Sequence, residues 1–227
     1  MRHEPAVARL SSLAGDDEEP GTLRARAVHA LGRIGAPESL RVLLTAASDP
    51  SEPVRVQAAQ ALGEFPCWEA AAVLGEVAST DESRDVAQSA IRALGRMDAP
   101  AAVHVLAALA GRFRRDVREE LVTALAECPE PDAAAALAVL STSPETEDVH
   151  FSATEALAAH RSPGCVALLA WILTAAPTAH QHGIALRGLA ALDTEEADAH
   201  VLTYCRTKGL ASAEARAALR DVADRRR

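Results

Sequence analysis

The sequence specifies an all-α fold, an α-solenoid of about six to seven antiparallel helix pairs. Three observations predict it. The residues Val54, Ala58, Ala61, Leu62 and Phe65 fall at i, i+4, i+7, i+8 and i+11, which places them along one face of an α-helix. That stripe returns at a fixed period: its leucine recurs as Leu31, Leu62, Leu94, Leu125, Leu157 and Leu189, separated by 31, 32, 31, 32 and 32 positions. A period of this size belongs to repeat proteins, in which each unit buries its apolar face only against its neighbours. Finally, 49% of the 227 residues are hydrophobic but only 3% are aromatic. The core is therefore Ala, Leu and Val, and the first two are strong helix formers.

Taken in order, the chain reads as one domain, 1–227. Residues 5–14 match the second helix of a unit and form a capping half-repeat. Asp16, Asp17, Glu18, Glu19, Pro20 and Gly21 then make an acidic, solvated loop. Six helix pairs follow over 22–206, each a first helix A, a short turn, a second helix B and a polar loop. The A stripes begin at Leu23, Val54, Val86, Val117, Val149 and Gln181. Pro37, Pro100, Pro131 and Pro163 share one register and suit the first position of the B helices. Asp85, Asp116 and Asp148 stand directly before a stripe valine, where a carboxylate can accept free backbone N–H groups, and Pro53 serves the same boundary in the second unit. Unit six departs from the pattern, because Gly188 replaces the alanine before Leu189. A last helix over 210–226, with Ala211, Ala215, Ala218, Leu219 and Val222 in register, caps the stack and ends in Arg225, Arg226 and Arg227, whose charges suit the negative end of its dipole.

Composition narrows the function. A net charge of −9 disfavours general nucleic-acid or anionic-membrane binding, both of which need a positive field. Cys67, Cys128, Cys165 and Cys205 lie far apart with no CxxC pair, as expected of free buried thiols in a reducing cytoplasm. Met1 to Leu13 lacks an apolar stretch of signal-peptide type, and no run approaches a membrane span. The single lysine, Lys208, among many arginines suggests high-GC bacterial coding.

The string Val-Arg, two residues, Ala, two residues, Ala-Leu-Gly, followed in the first unit by Gly35, Ala36, Pro37 and Glu38 and a leucine-rich helix, resembles the short HEAT repeats of the phycobilisome-lyase type. Residues 22–48 and 53–79 carry it best, and Val117, Arg118 and Leu125 keep it in unit four. The resemblance implies a right-handed stack with A helices on the convex side, B helices lining the concave side, and service as a non-catalytic scaffold or adaptor. Deoxyhypusine hydroxylase has similar repeats and holds two irons with His-Glu pairs just after the Val-Arg. Here those positions read Val56 and Gln57, Gln88 and Ser89, Glu119 and Glu120, Phe151 and Ser152; the one His-Glu pair, His3 and Glu4, has no second to match it. That chemistry is rejected, and no cofactor or metal is expected.

On that register the concave B column can be written out. Glu38, Glu69, Ala101, Asp132, Gly164 and Glu196 form an acidic edge. Arg41 and His104, with alanines at the equivalent positions, lie beside it, followed by Thr45, Glu76, Ala108, Val139, Trp171 and Thr203. An acidic edge over a small, apolar floor suits a protein or peptide bearing basic and apolar residues. The expected contacts are Trp171, Arg41, His104, Glu38, Glu69, Glu76, Asp132 and Val139, with Trp171 the anchor. Trp68, at a B-helix start, reads as a structural plug. His180 and His182 are two apart, which turns their rings away from each other and reads as solvated or capping side chains; His160 reads as a helix-end cap. One alternative is a lyase-type factor or enzyme holding a small apolar ligand in the same groove. Another is nucleic-acid binding through a convex patch of Arg24, Arg26, Arg55, Arg92, Arg112, Arg114, Arg115 and Arg118.

Overall fold

The repeating stripes fold as helices and bury their anchor leucines. A computed structural model of the chain describes residues 4–97, 99–110, 114–162, 164–210 and 212–225. Among these, the regular elements are fourteen α-helices and three short 3-10 turns, with no strand. Helix α1 spans Glu4–Ala14. The A and B helices then alternate as α2 Gly21–Ile34 and α3 Leu40–Ala46, α4 Glu52–Leu62 and α5 Trp68–Thr80, α6 Arg84–Arg96 and α7 Pro100–Leu109. They continue as α8 Arg118–Glu127 and α9 Pro131–Thr142, α10 His150–Ala159 and α11 Cys165–Ala175, α12 Ala179–Leu192 and α13 Glu195–Lys208, before α14 Ala213–Arg225. Pro163, Ala211, Arg226, Arg227, Arg112, His3 and Met1 lie outside the described residues.

The chain divides into two compact units, Met1–Ala124 and Leu125–Arg227. In the first, α2, α4 and α6 pack side by side as one row, and α1, α3, α5 and α7 as the other. In the second, α10, α12 and α14 form the A row, and α9, α11 and α13 the B row. Leu31, Leu62, Leu94, Leu125, Leu157 and Leu189 are all buried. Each such burial is worth about 2 kcal/mol, so the stripe is the main source of cohesion. Leu23 departs from expectation and stays 37% exposed. Among the described residues no A-row helix packs on the side of α2 opposite α4, the side that carries Leu23.

The Ala-Leu-Gly signature sets the spacing between A helices. A Cβ added to Gly32 would stand 2.5 Å from Ala61 Cβ, one on Gly63 3.0 Å from Ala93 Cβ, and one on Gly95 2.8 Å from Ala124 Cβ. Each glycine is the notch into which the next unit's alanine fits. In the second unit the roles exchange: Gly188 meets Ala158, 2.8 Å from the same construction. Gly188, which broke the sequence pattern, keeps the packing by moving the notch to the other helix.

Helix ends are capped differently from the expectation. Asp85 is inside α6, Asp116 in the 3-10 turn Arg115–Val117, and Asp148 in the turn Pro144–Val149. These elements begin upstream of the aspartates: Asp85 and Asp116 therefore occupy a first turn, still complementary to the positive end of a helix, whereas Asp148 stands next to last in its turn. Hydroxyls cap instead: Ser83 accepts from Val86 N–H at 3.4 Å, Thr178 from Gln181 at 3.2 Å, and Thr194 from Ala197 at 3.2 Å. Pro37, Pro100 and Pro131 open their helices as expected. Gly35, at φ 64°, ends α2 in the left-handed conformation and donates to Leu31 O at 3.1 Å.

Candidate functional site: the exposed column of the B helices

A B helix packs on its A partner through one face and on neighbouring B helices through its flanks, leaving a fourth side to solvent. In the first unit that side carries Glu38, Arg41 and Thr45 on and before α3, Glu69 and Glu76 on α5, and His104 on α7, all exposed. Ala72 and Ala101 are half-buried between them. Glu38, Arg41 and Thr45 line a cavity of about 640 Å³ together with Ser11, Asp17 and Asp49. In the second unit the same side carries Asp132, Ala135 and Val139 on α9, Ala167 and Trp171 on α11, and Glu196, Ala199 and Thr203 on and around α13, all exposed. Val139 is 50% and Trp171 43% exposed. They hold equivalent positions on two adjacent helices. Every expected contact residue is thus at the surface, those of the first unit on or just before α3 and on α5 and α7, and those of the second on α9 and α11.

Trp68 does not plug the fold. As the first residue of α5 it projects ahead of the packed turns, 61% exposed. Of the four thiols, which are free, Cys165 and Cys205 are buried and Cys67 and Cys128 half-buried, so only two match the fully buried expectation. Burial pushes the Cys128 and Cys205 thiols above their ordinary pKa.

The histidines bind backbone and rings. His160 Nε2 lies 2.7 Å from Cys128 O, and its Nδ1 accepts from Ser162 N–H at 3.3 Å. His182 Nε2 lies 3.1 Å from Ala176 O, its Nδ1 3.2 Å from Tyr204 Oη, and the two rings meet edge to face. His180 packs edge-on against Phe151, with ring centroids 5.1 Å apart. Among the described residues no group of three or more His, Cys, Asp or Glu is placed to hold a metal, and no helix is long and apolar enough to cross a membrane.

The arginines expected on a convex patch are largely committed elsewhere. Arg24 is buried; its Nη2 is 2.7 Å from Asp49 Oδ1, and its Nη1 donates to Glu19 O at 3.2 Å. Arg55 repeats this one unit later, bonding Asp81 through Nε at 2.7 Å and Nη2 at 3.1 Å, and Asp49 O through Nη1 at 3.0 Å. In the third unit Ala87 holds the equivalent place, and Arg114 supplies the guanidinium from the next loop, donating to Asp81 O at 2.6 Å. Arg92 pairs with Glu120 at 2.6 Å, and Arg115 and Arg118 have partners too. Sequence reading passed over this ladder. The signal for it was present: an aspartate in each polar loop, Asp49 and Asp81, recurs one repeat apart just as Arg24 and Arg55 do. At the far end Arg225, instead of meeting only its helix dipole, pairs with Asp193 at 2.9 Å and Asp198 at 2.7 Å.

Residues 40–126 match the family model for HEAT repeats. That segment of the chain is built of HEAT repeats. The archaeal HEAT-like repeats protein of Thermococcus onnurineus is similar at 19% identity over 96% of this chain and 95% of that one, with a TM-score of 0.51. The complex of CpcE and CpcF of phycocyanin lyase from Nostoc is similar at 17% identity over 96% and 94%, with a TM-score of 0.50. At these identities the likenesses establish the HEAT fold. No curated protein sequence matches the chain.

Proposed function

We propose that this chain is a non-catalytic cytoplasmic adaptor that binds another protein or peptide through the exposed column of its B helices. One observation carries the reading: Val139 and Trp171, large apolar side chains, stand at equivalent exposed positions of neighbouring helices where the fold has no use for them. An exposed indole over alanines is the usual form of an interface anchor. In the first unit the cavity beside Glu38 and Arg41 is also lined by Asp17 and Asp49, which suits the charged groups of a peptide better than an apolar small molecule. Four thiols outside any disulfide fit a reducing compartment.

Photo-crosslinking in the native cell tests this. A benzophenone amino acid at position 139 should capture a protein, one at the exposed A-helix position 187 should not, and Trp171→Ala should abolish the capture. Equal yields from both positions, or a capture indifferent to Trp171→Ala, would overturn it.

A further inference from the structure

The A row of the first unit carries a second surface with chemistry of its own. Between α2 and α4 runs a furrow that opens in two adjoining cavities, of about 630 and 530 Å³, which share His29. The first is floored by Ala25, Pro53 and Val56; the second reaches α6 and is edged by Arg33, Arg92 and Arg96 over Gly32 and Ala61. The Gly32 notch lets α4 approach α2 so closely that the floor is almost backbone, leaving the long guanidinium side chains as walls. His29 marks the join, its Nδ1 3.0 Å from Gln57 Oε1.

Ion pairing divides these three wall arginines, because Arg92 is held by Glu120 at 2.6 Å. Arg24, Arg55, Arg92, Arg114 and Arg225 all hold carboxylates. Arg33 and Arg96 have no ion-pair partner among the described residues, and they border one cavity in a chain of net charge −9. We infer that this furrow docks an acidic–apolar segment of a partner protein, its carboxylates on Arg33 and Arg96 and its apolar side chains over Ala25, Pro53 and Val56. The eleven helical steps from Thr22 to Arg33 span about 16 Å, the length of about five residues of extended peptide. Glu52 and Glu64 also line the furrow. They repel a uniformly anionic nucleic-acid backbone, whereas a peptide can place its charges at one end and avoid them.

Selection of phage-displayed random heptapeptides on the full chain tests the inference. Enriched sequences should join Asp or Glu to apolar residues, bind at least about tenfold more weakly to the Arg33→Glu/Arg96→Glu variant, and be insensitive to Trp171→Ala, which separates this surface from the B column. Circular dichroism of the double variant should match the parent, since both side chains are exposed. Enrichment of peptides without acidic residues, affinity unchanged in the double variant, absence of enrichment, or tighter binding of oligothymidylate than of any peptide would each overturn it.

Discussion

Arg55 holds Asp81 by two parallel hydrogen bonds across a repeat boundary, at 2.7 and 3.1 Å, with both side chains largely withdrawn from water. Burial alone would raise the Asp81 carboxyl. The Arg55 hydrogen bond, the Ser83 N–H and the Arg55 and Arg114 charges outweigh it and hold the group below its ordinary range. A depressed carboxyl contributes stability that is fully present above its unfolded pKa, near 3.9, and is lost as pH falls through the lower folded value. Asp81→Asn should therefore cost about 2 kcal/mol in urea unfolding at neutral pH, and the gap to the parent should close below about pH 4. A gap that does not change with pH would show that the ion pair is not the source.

The Gly188 and Ala158 pair predicts a reversal. Gly188→Ala should gain helix propensity yet lose about 1–3 kcal/mol from overpacking, because the new methyl lands 2.8 Å from Ala158 Cβ. Adding Ala158→Gly should restore most of the loss, since the notch then sits where Gly32 and Gly63 have it. Thermal unfolding of the two single variants and the double variant closes the cycle; strict additivity would refute the exchange of roles.

Gln181 occupies a stripe position that elsewhere holds Val54, Val86 and Val117, and it is fully buried. Its Nε2 donates to Ser141 O at 2.7 Å and to Thr154 Oγ1 at 3.3 Å, and its Oε1 accepts from Thr178. Gln181→Ala leaves the Ser141 carbonyl and the Thr154 hydroxyl short of a partner, so about 1–3 kcal/mol should be lost. Urea unfolding monitored by circular dichroism measures it.

Thiol labelling should separate the cysteines by burial. Cys67 and Cys128 should react with an aromatic disulfide reagent in the native chain, Cys128 more slowly because its thiolate is disfavoured, while Cys165 and Cys205 should wait for unfolding. Mass spectrometry of the labelled peptides gives the order directly.

How much of this could be read from residue order depends on how far apart the cooperating residues lie. Stripe leucines need only their own helix and the repeat period, so the helices and the solvent-facing B positions from Glu38 to Trp171 were legible. Leu23 was misread because a stripe position shows its own face and not whether a neighbour exists to cover it. The partners of Arg24 and Arg55 lie 25 and 26 residues away, in loops that read as featureless polar linkers. Arg33 and Arg96 drew no notice for the same reason: each is an ordinary surface arginine until helix stacking brings it to the border of a shared cavity.

The exchanged notch also bears on how such a chain can grow. A unit that carries one glycine of the pair, such as 52–80 or 179–208, brings it against its own copy's alanine when duplicated and stacks without correction, whereas 150–175, with Ala156 and Ala158 at the two places, has no notch glycine to offer. A segment such as 52–80 moved to precede 179–208 would set Gly63 opposite Gly188 and open a methyl-sized void, whereas residues 179–208 placed before 52–80 would force Ala190 against Ala61. Rearrangement of the glycine-bearing units is thus directional: copying one beside itself is permitted, and exchange between 52–80 and 179–208 demands a compensating substitution.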